Sequence, residues 1–576
     1  MNPVIPSTLR FLRPHRGRKR RVVLFTIAVL IFAWLVGPRL FPIPQALLDG
    51  PVPSPRLLDR RGEVLDDFPR LDYFRHQPAT LGEIPADLVA ATLAAEDKRF
   101  YQHGGADYRA TARAICQSID QGRHVSGAST ITQQLIKINS PPAERNFRAK
   151  FREIMTARHL ESRWDKNRIL AAYLNHLDYG SHRQGCAEAA AHFFGKPLAD
   201  LSLAESALLA GLPQAPSRLN PFRHPERALK RRDWVLERLG VVFNYDRSRI
   251  DRALAEPLEL GGGPRATPVP HLAAEVRARR DHRRNDTVRT TIDGPLQEEV
   301  NGIVARELAR LEDKNVQHAA VVVVHNQDGE VRTLVGSGDY RDPSGGQVNG
   351  ALAPRSAGSS LKPFTYLLAI ERGGLYPGSI IADIPTPFRT AGGLDAPRNF
   401  DGHHHGPVSI RHALANSLNV SAMRTLNRIG GPAPLHQLLR DLELSTLSRR
   451  APEYGLGLTI GNAEVTLLEL TSAYATLARL GRHHPTSLYP QPASGDRDPV
   501  FGARSAYLIA DILSDNSARA TAFGRRSALR LPFPCAVKTG TSTDFRDNWC
   551  LGYTAEFTVG VWVGNFDNTP MRGISG

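Results

Sequence analysis

A few short stretches of the chain hold side chains whose types and spacing could do chemistry. In AAEDKRFYQHGG, residues 94–105, Glu96 falls on an apolar stripe with Val89, Leu93 and Phe100, behind a proline at Pro85 that suits the first turn of a helix. A carboxylate so placed is partly desolvated, which suits a proton acceptor; the plainer alternative is a surface carboxylate that merely falls in line with apolar neighbours. In AGSSLKPF, Ser359 and Lys362 stand one helical turn apart on one face, a hydroxyl nucleophile in contact with an amine. The amine can take a proton only if burial or a neighbouring cation keeps it neutral. Ser417-Leu418-Asn419 follows, and Lys538-Thr539-Gly540-Thr541 ends the strand-like run CAVKTG.

These groups need elements to hold them. In GASTITQQLIKI, residues 127–138, Ser129 is placed as an N-cap, Ile131, Leu135 and Ile138 form an apolar stripe, and Thr130, Gln134 and Lys137 line another side. Such a helix start, with hydroxyls, amides and a lysine, makes an anion site, although an ordinary amphipathic helix would read the same way. RAKFREIMTARHLE then sets Lys150 and Glu153 one turn apart, ahead of KNRILAAYLN. From about residue 81 to 239 the chain is Ala- and Leu-rich with helical spacing, so an all-α domain is expected. Residues 240–315 read as a linker region, polar and basic at first, with GGGP and RARRDHRR, before a helical stretch after TTIDGPLQEEV. From 316, AAVVVVHNQDGEVRTLVGSG reads as two strands around a turn at 326–329, and CAVKTG and FTVGVWVG as further strands with helices between, a mixed α/β domain.

With 576 residues, of which 41% are hydrophobic and 23% charged, the chain has room for several globular domains, and bulk composition separates neither enzyme from scaffold. Its net charge of +16 is uneven: residues 1–21 hold seven Lys or Arg and no acid. The uncharged run VVLFTIAVLIFAWLVG follows and would reach about 24 Å as a helix. Leu40 and Phe41 extend it, so 22–41 reads as a single transmembrane helix with the basic tail 1–21 in the cytoplasm. A cleaved signal peptide is the competing reading, but no small-x-small cleavage site follows; instead Pro42, Pro44, Pro51, Pro53 and Pro55 make a stiff spacer. The folded domains are then expected outside the cytoplasm, which excludes nucleic acid as the partner of the basic run. Four cysteines without CxxC spacing indicate neither a zinc site nor a disulfide scaffold; Cys535 and Cys550 could pair or stay as free buried thiols. The His403–His405 run lies in a Gly-bounded loop and reads as solvated histidines rather than a metal site.

SxxK, SxN and KTG in this order are the serine acyl-transfer set of penicillin-binding proteins and related β-lactamases. EDxxFxxHxG, GxSTITQQ, KxxE and ILxxYLN resemble the glycosyltransferase domain of class A penicillin-binding proteins, the bifunctional peptidoglycan synthases. NFDGHHHGP, KTGTSTDFRDNW and VGVWVGNFDNTP resemble their 1C branch. The resemblance runs from about Arg56 to the last residue. It implies a lysozyme-like helical glycosyltransferase over 56–239 and a β-lactamase-like transpeptidase over 316–576, in the cytoplasmic (inner) membrane with the catalytic domains in the periplasm.

By that resemblance Glu96 is the general base on the acceptor sugar hydroxyl. Glu153 acts near the donor's pyrophosphate, directly or through a divalent Mg²⁺ or Mn²⁺. Ser129, Thr130, Gln133, Gln134, Lys137 and Lys150 bind substrate, with Arg145 or Arg148 assisting. In the second domain Ser359 attacks an amide carbonyl, Lys362 takes its proton, Ser417 relays a proton to the leaving amine, and Asn419 holds the substrate backbone. Lys538, Thr539 and Thr541 suit a substrate carboxylate, Gly540 lets substrate approach the strand, and the N–H groups of Ser359 and Thr541 form the oxyanion hole. Lipid II, nascent peptidoglycan and other cell-wall proteins are the implied partners, and β-lactams the implied inhibitors. The chain departs from the family at Ala149, usually Arg, and at Ala171, usually Glu. It stops at GISG, where the family fold normally continues to a closing helix and the 1C branch to a further domain. A glycosyltransferase with a carboxypeptidase or non-crosslinking second domain, or a non-catalytic cell-wall scaffold, are the alternatives.

Overall fold

The computed structural model describes residues 16–113, 129–142, 144, 146–261, 267–279, 287–390, 393–492 and 498–576. By its contacts the chain divides into two compact units: residues 1–54 with 69–265, and residues 55–68 with 266–576. Residues 55–68, expected in the helical domain, therefore belong to the second unit. There Arg56–Leu58 pairs antiparallel with Val64–Asp67 and parallel with Val288–Arg289. Strands this short carry too few residues for alternation to show in sequence. The region expected as a linker is also more ordered than its polarity suggests, holding the helices Arg247–Ala255, Pro270–Arg279 and Gly294–Arg310.

The first unit opens with the helix Arg16–Val36. Val23–Leu40 has a mean hydropathy of 2.1 and is only 6% buried, and it is the one span among the described residues long and apolar enough to cross a membrane. Among the described residues the rest of the unit is helical, apart from a two-stranded pairing of Arg75–His76 with Arg183–Gln184 and an isolated bridge between Asp178 and Gln184. Its centre is the helix Leu203–Gly211, buried at every position and started by a capping box between Ser202 and Glu205. Ala86–Glu96 and Pro225–Phe243 pack against it. Leu88, Leu93, Phe100, Leu135, Ile169 and Tyr173 join the same core, and each such side chain contributes about 1.5–3 kcal/mol by leaving water.

The second unit is built on a five-stranded antiparallel sheet in the order Ala536–Thr541, Asp547–Tyr553, Phe557–Gly564, His318–His325, Val331–Val335. Val321, Val323 and Val335 on one face meet Leu296, Val300 and Val304 of the helix Gly294–Arg310. Ala320, Val322 and Val324 on the other join the larger core with Phe364, Tyr474 and Ile509, from the helices Lys362–Glu371, Leu467–Ala478 and Ala503–Ser514. A strand covered on both faces needs apolar residues at every position, which is why AAVVVV shows no alternation. Ala536–Thr541, bearing the KTGT motif, lies at one edge of the sheet.

Candidate active sites

In the helical unit the acidic pair of the EDKRF stretch splits. Asp97, buried, accepts from the backbone N–H of Ile131 at 3.0 Å and pairs with His103 Nε2 at 3.0 Å, so it fastens the start of the Ile131–Ile138 helix. Glu96, the last residue of Ala86–Glu96, instead keeps partial exposure. Its Oε2 accepts from Gln134 Nε2 at 2.9 Å, and Arg231 Nη2 stands 3.8 Å from Oε1. Tyr173 donates its hydroxyl to Gln134 Oε1 at 2.9 Å. Burial, reinforced by the Glu96 and Asp97 charges, pushes the Tyr173 phenol well above its ordinary range, so it stays protonated and always presents a donor. That donor sets the Gln134 amide with its N–H₂ toward Glu96.

A second cluster hangs from the neighbouring residue of the same helix. Lys150 Nζ donates to Gln133 Oε1 at 3.0 Å and to Ser129 Oγ at 2.9 Å, and it pairs with Glu153 one turn along Phe147–Glu161. Ser129 is therefore not the N-cap. Thr130 is: its hydroxyl accepts from the Gln133 N–H at 3.2 Å and donates to the Gly105 carbonyl at 2.7 Å. At 2% exposure, with both functions spent, Thr130 positions the helix rather than facing a ligand. Ile138, expected on the apolar stripe, is exposed, and Ile136 takes the buried place. Lys137 and Arg148 are exposed, while Arg145 lies outside the described residues. Gly105 has φ +93°, and a Cβ there would come within 2.9 Å of the Ala157 backbone, which explains the glycine after HG in the motif. Asn175 of YLN serves structure, its amide bonding both backbone groups of Ala79. Sequence reasoning passed over Tyr173 and Arg231. Tyr173 could have been found within YLN, whereas Arg231 is one of several basic residues in ERALKRRDW and carries no signal of its own.

In the second unit Ser359 lies in the 3₁₀ turn Gly358–Leu361, just ahead of the helix Lys362–Glu371. Lys362 is completely buried, and its ammonium donates to the Ser417 carbonyl, to Asn419 Oδ1 at 2.7 Å and to Ser417 Oγ at 3.3 Å. The expected Ser359–Lys362 contact is not a hydrogen bond: among the described residues none joins the two. Lys538 Nζ donates to Ser417 Oγ at 2.8 Å and to the Thr539 carbonyl at 2.6 Å. Two lysines thus converge on one hydroxyl, and because Ser417 Oγ accepts from both, its own proton is free to be donated. Ser417 has φ +58°, a conformation rare outside glycine, typical of strain held at functional positions. Burial, then the Lys538 charge, holds Lys362 well below the ordinary ammonium range; burial brings Lys538 down to about 7. For Lys362 this favours the neutral amine that proton transfer requires, whereas Lys538 at about 7 is available in both forms near neutral pH.

Glycine roles differ from expectation here. A Cβ on Gly540 would meet the Ala357 carbonyl at 2.8 Å and Ser360 N at 3.2 Å, so this glycine admits the turn that carries Ser359. Gly358, at φ +52°, answers it, since a Cβ there would come 2.7 Å from the Thr541 carbonyl. The two bring Ser359 and Thr541 close, as an oxyanion hole built from their N–H groups requires. Trp549 Nε1 donates to the Ser356 carbonyl at 2.8 Å and the Tyr474 hydroxyl to the Ser360 carbonyl at 2.6 Å, steadying the turn from the sheet and the helix behind it. Neither contact has a sequence signature. Thr539 is buried and Thr541 half-buried. His405 meets Asp401 at 2.9 Å, and the described residues gather no group of three metal-ligating side chains. Cys186, Cys535 and Cys550 are free thiols, and Cys116 lies outside the described residues. Thr539 pairs with Cys550 and Ala536 with Tyr553, so Cys535 and Cys550 are offset along the two strands, and the expected alternative of free thiols is the one found.

A helical unit with a hydrogen-bonded glutamate beside a lysine–glutamate pair, joined in one chain to an α/β unit with a Ser–Lys–Ser–Lys centre, defines a two-headed cell-wall synthase. Residues 61–240 match the Transglycosylase family and residues 319–571 the Penicillin binding protein transpeptidase domain. The chain is 34% identical to penicillin-binding protein 1C of Escherichia coli K12 over 547 residues, 95% of this chain and 68% of that protein. It is 29% identical to penicillin-binding protein 1A of Aquifex aeolicus over 654 residues, 93% of this chain and 87% of that one. The crystal structure of penicillin-binding protein 1A from Haemophilus influenzae shares the fold, with a TM-score of 0.55 at 20% identity, covering 91% of this chain and 90% of that one. The chain belongs to the class A penicillin-binding proteins and resembles their 1C branch.

Proposed function

We propose that this peptidoglycan synthase polymerises lipid II at Glu96 and crosslinks stem peptides through an acyl-enzyme on Ser359. The convergence of two buried lysines on Ser417 carries the second half of this reading most directly. In glycosyl transfer Glu96 takes the proton of the acceptor 4-hydroxyl, which attacks the donor sugar's anomeric carbon as the lipid diphosphate leaves. Lys150, Lys137 and Arg148 neutralise that diphosphate. Glu153 offers one carboxylate already paired with Lys150, a donor set that suits Mg²⁺ or Mn²⁺ only when shared with substrate phosphates. Held there, the metal would screen the leaving group's charge.

In acyl transfer Ser359 Oγ attacks the penultimate D-alanine carbonyl and its proton passes to neutral Lys362 Nζ. The oxyanion meets the N–H groups of Ser359 and Thr541. Collapse breaks the amide bond, and the departing D-alanine amine takes its proton by way of Ser417. The amine of a second stem peptide then attacks the acyl-serine and restores the hydroxyl. Thr539, Thr541 and the cationic form of Lys538 receive the substrate carboxylate, Asn419 the peptide backbone. β-Lactams acylate the same serine. The apolar helix anchors the protein in the inner membrane, with both catalytic units in the periplasm. Incubation of the full chain with labelled lipid II should yield polymer and crosslinked muropeptides; recovery of unreacted lipid II alone would leave a non-catalytic scaffold as the reading.

A further inference from the structure

Asp383 belongs to none of the motifs above, yet it is a completely buried carboxylate at the end of the strand Ile380–Asp383. Its Oδ2 accepts from Asn399 Nδ2 at 2.7 Å and from the His405 N–H at 2.8 Å, and its Oδ1 accepts from the Ser421 hydroxyl at 3.1 Å. An ionised carboxylate only accepts, so together with the His403 carbonyl, which takes an Asn399 N–H at 2.8 Å, it fixes which way the Asn399 amide faces. The Asn399 oxygen must then turn to the start of the helix Asn419–Arg428, where it accepts from the N–H groups of Asn419 at 2.8 Å and Val420 at 3.4 Å. The Asn419 side chain, so placed, donates to the Arg398 carbonyl at 2.8 Å and accepts from Lys362 at 2.7 Å. Hydrogen bonds thus run from Asp383 through Asn399 to the Asn419 backbone, and the Asn419 side chain carries the link on to Lys362.

We propose that Asp383 is a positioning residue for acyl transfer: it orients Asn399, thereby sets the Asn419 side chain that holds Lys362, and places a buried negative charge facing that lysine. This gives the NFDGHHH turn a purpose, since it carries Asn399 and delivers the His405 N–H to the carboxylate. Lys362 faces two charges, Lys538 from the edge strand and Asp383. Asp383 in turn faces Lys362 and Tyr366 from one helix and His412 from the helix Ile410–Ala415. The Asp383 charge favours the ammonium of Lys362, opposing both burial and Lys538.

The proposal rests on Lys362 being the acceptor of the Ser359 proton. It is tested on the full chain by the second-order rate of acylation by a fluorescent penicillin across pH, with thermal melting in parallel. Asp383→Asn keeps the shape but loses the charge and one of the two acceptors that hold the Asn399 amide. Its acylation should slow by about tenfold to a hundredfold, the size of a buried charge-assisted hydrogen bond, and its acid limb should move to lower pH. Asn399→Ala should slow acylation similarly while the acid limb stays, because the charge remains. Parental rate and pH profile in Asp383→Asn would overturn the proposal, as would slowing with an unmoved limb, which marks a merely structural carboxylate. If Asp383→Asn melts non-cooperatively, a parental rate in Asn399→Ala overturns it. Labelling that survives Ser359→Ala would instead sink the acyl-enzyme reading itself.

Discussion

The carboxamide of Gln134 donates to Glu96 at 2.9 Å while a buried phenol, Tyr173, holds its other end. Glu96→Gln nearly preserves volume but removes the base, and should slow polymerisation of lipid II by about 10²- to 10⁴-fold. Tyr173→Phe leaves Gln134 free to flip and should slow it by about two- to tenfold, the worth of one hydrogen bond. Both variants should still label with fluorescent penicillin. Parental polymerisation by Glu96→Gln would make Glu96 a structural carboxylate only.

Coupling between the two activities should run one way, because crosslinking consumes nascent strands whereas polymerisation needs no crosslinks. With lipid II as sole substrate, Glu96→Gln should give neither product, and Ser359→Ala should give long uncrosslinked chains at near-parental rate. Gel separation of the products, before and after muramidase digestion, reads both. Loss of polymer in Ser359→Ala would contradict it.

Acylation should show a bell-shaped pH dependence. Lys362 accepts a proton only as the free amine, so the rate must fall as acid converts it to ammonium. Lys538 attracts a substrate carboxylate only as a cation, and because burial brings it to about 7, the rate must fall again as pH rises through that value. Lys538→Arg carries a charge that does not titrate in this range. Its alkaline limb should vanish, and persistence of that limb would assign it to another group.

Gly358→Ala forces a side chain into a left-handed conformation, at about 1–2 kcal/mol, and into the Thr541 carbonyl. Penicillin labelling should be lost or slowed severely, with a melting temperature lowered for the second unit. Glycosyl transfer by the first unit should persist. Full labelling would mean that the nucleophile's turn can retreat from the edge strand without harm.

The side chains proposed to do chemistry were legible because their types are restricted. Ser359, Lys362, Ser417, Asn419 and Lys538 stand in short spaced motifs, and Glu96 falls on a stripe that periodicity reveals. Groups that act through others were not. Tyr173, Arg231, Trp549, Tyr474 and Asp383 reach the sites from remote segments, and a tyrosine or aspartate in isolation looks the same whether it orients an amide or simply packs. Ser129 and Thr130 are equally good caps locally, and in the structure Thr130 accepts from the Gln133 N–H while Ser129 accepts from Lys150 of another helix.

By itself the sequence determined the apolar anchor, the succession of a helical and a mixed α/β unit, and the acyl-transfer set. Each follows from local pattern: hydropathy over a span, helical or strand periodicity, residue types at fixed spacing. Only the tertiary structure decided which unit residues 55–68 join, that Gly540 and Gly358 make room for each other's strands of chain, and that Lys362 turns to Ser417 and Asn419 rather than to Ser359. The reason is physical. A strand of three residues, a missing Cβ and the destination of an ammonium all depend on which distant atoms lie within about 3 Å, and that is settled when the chain packs.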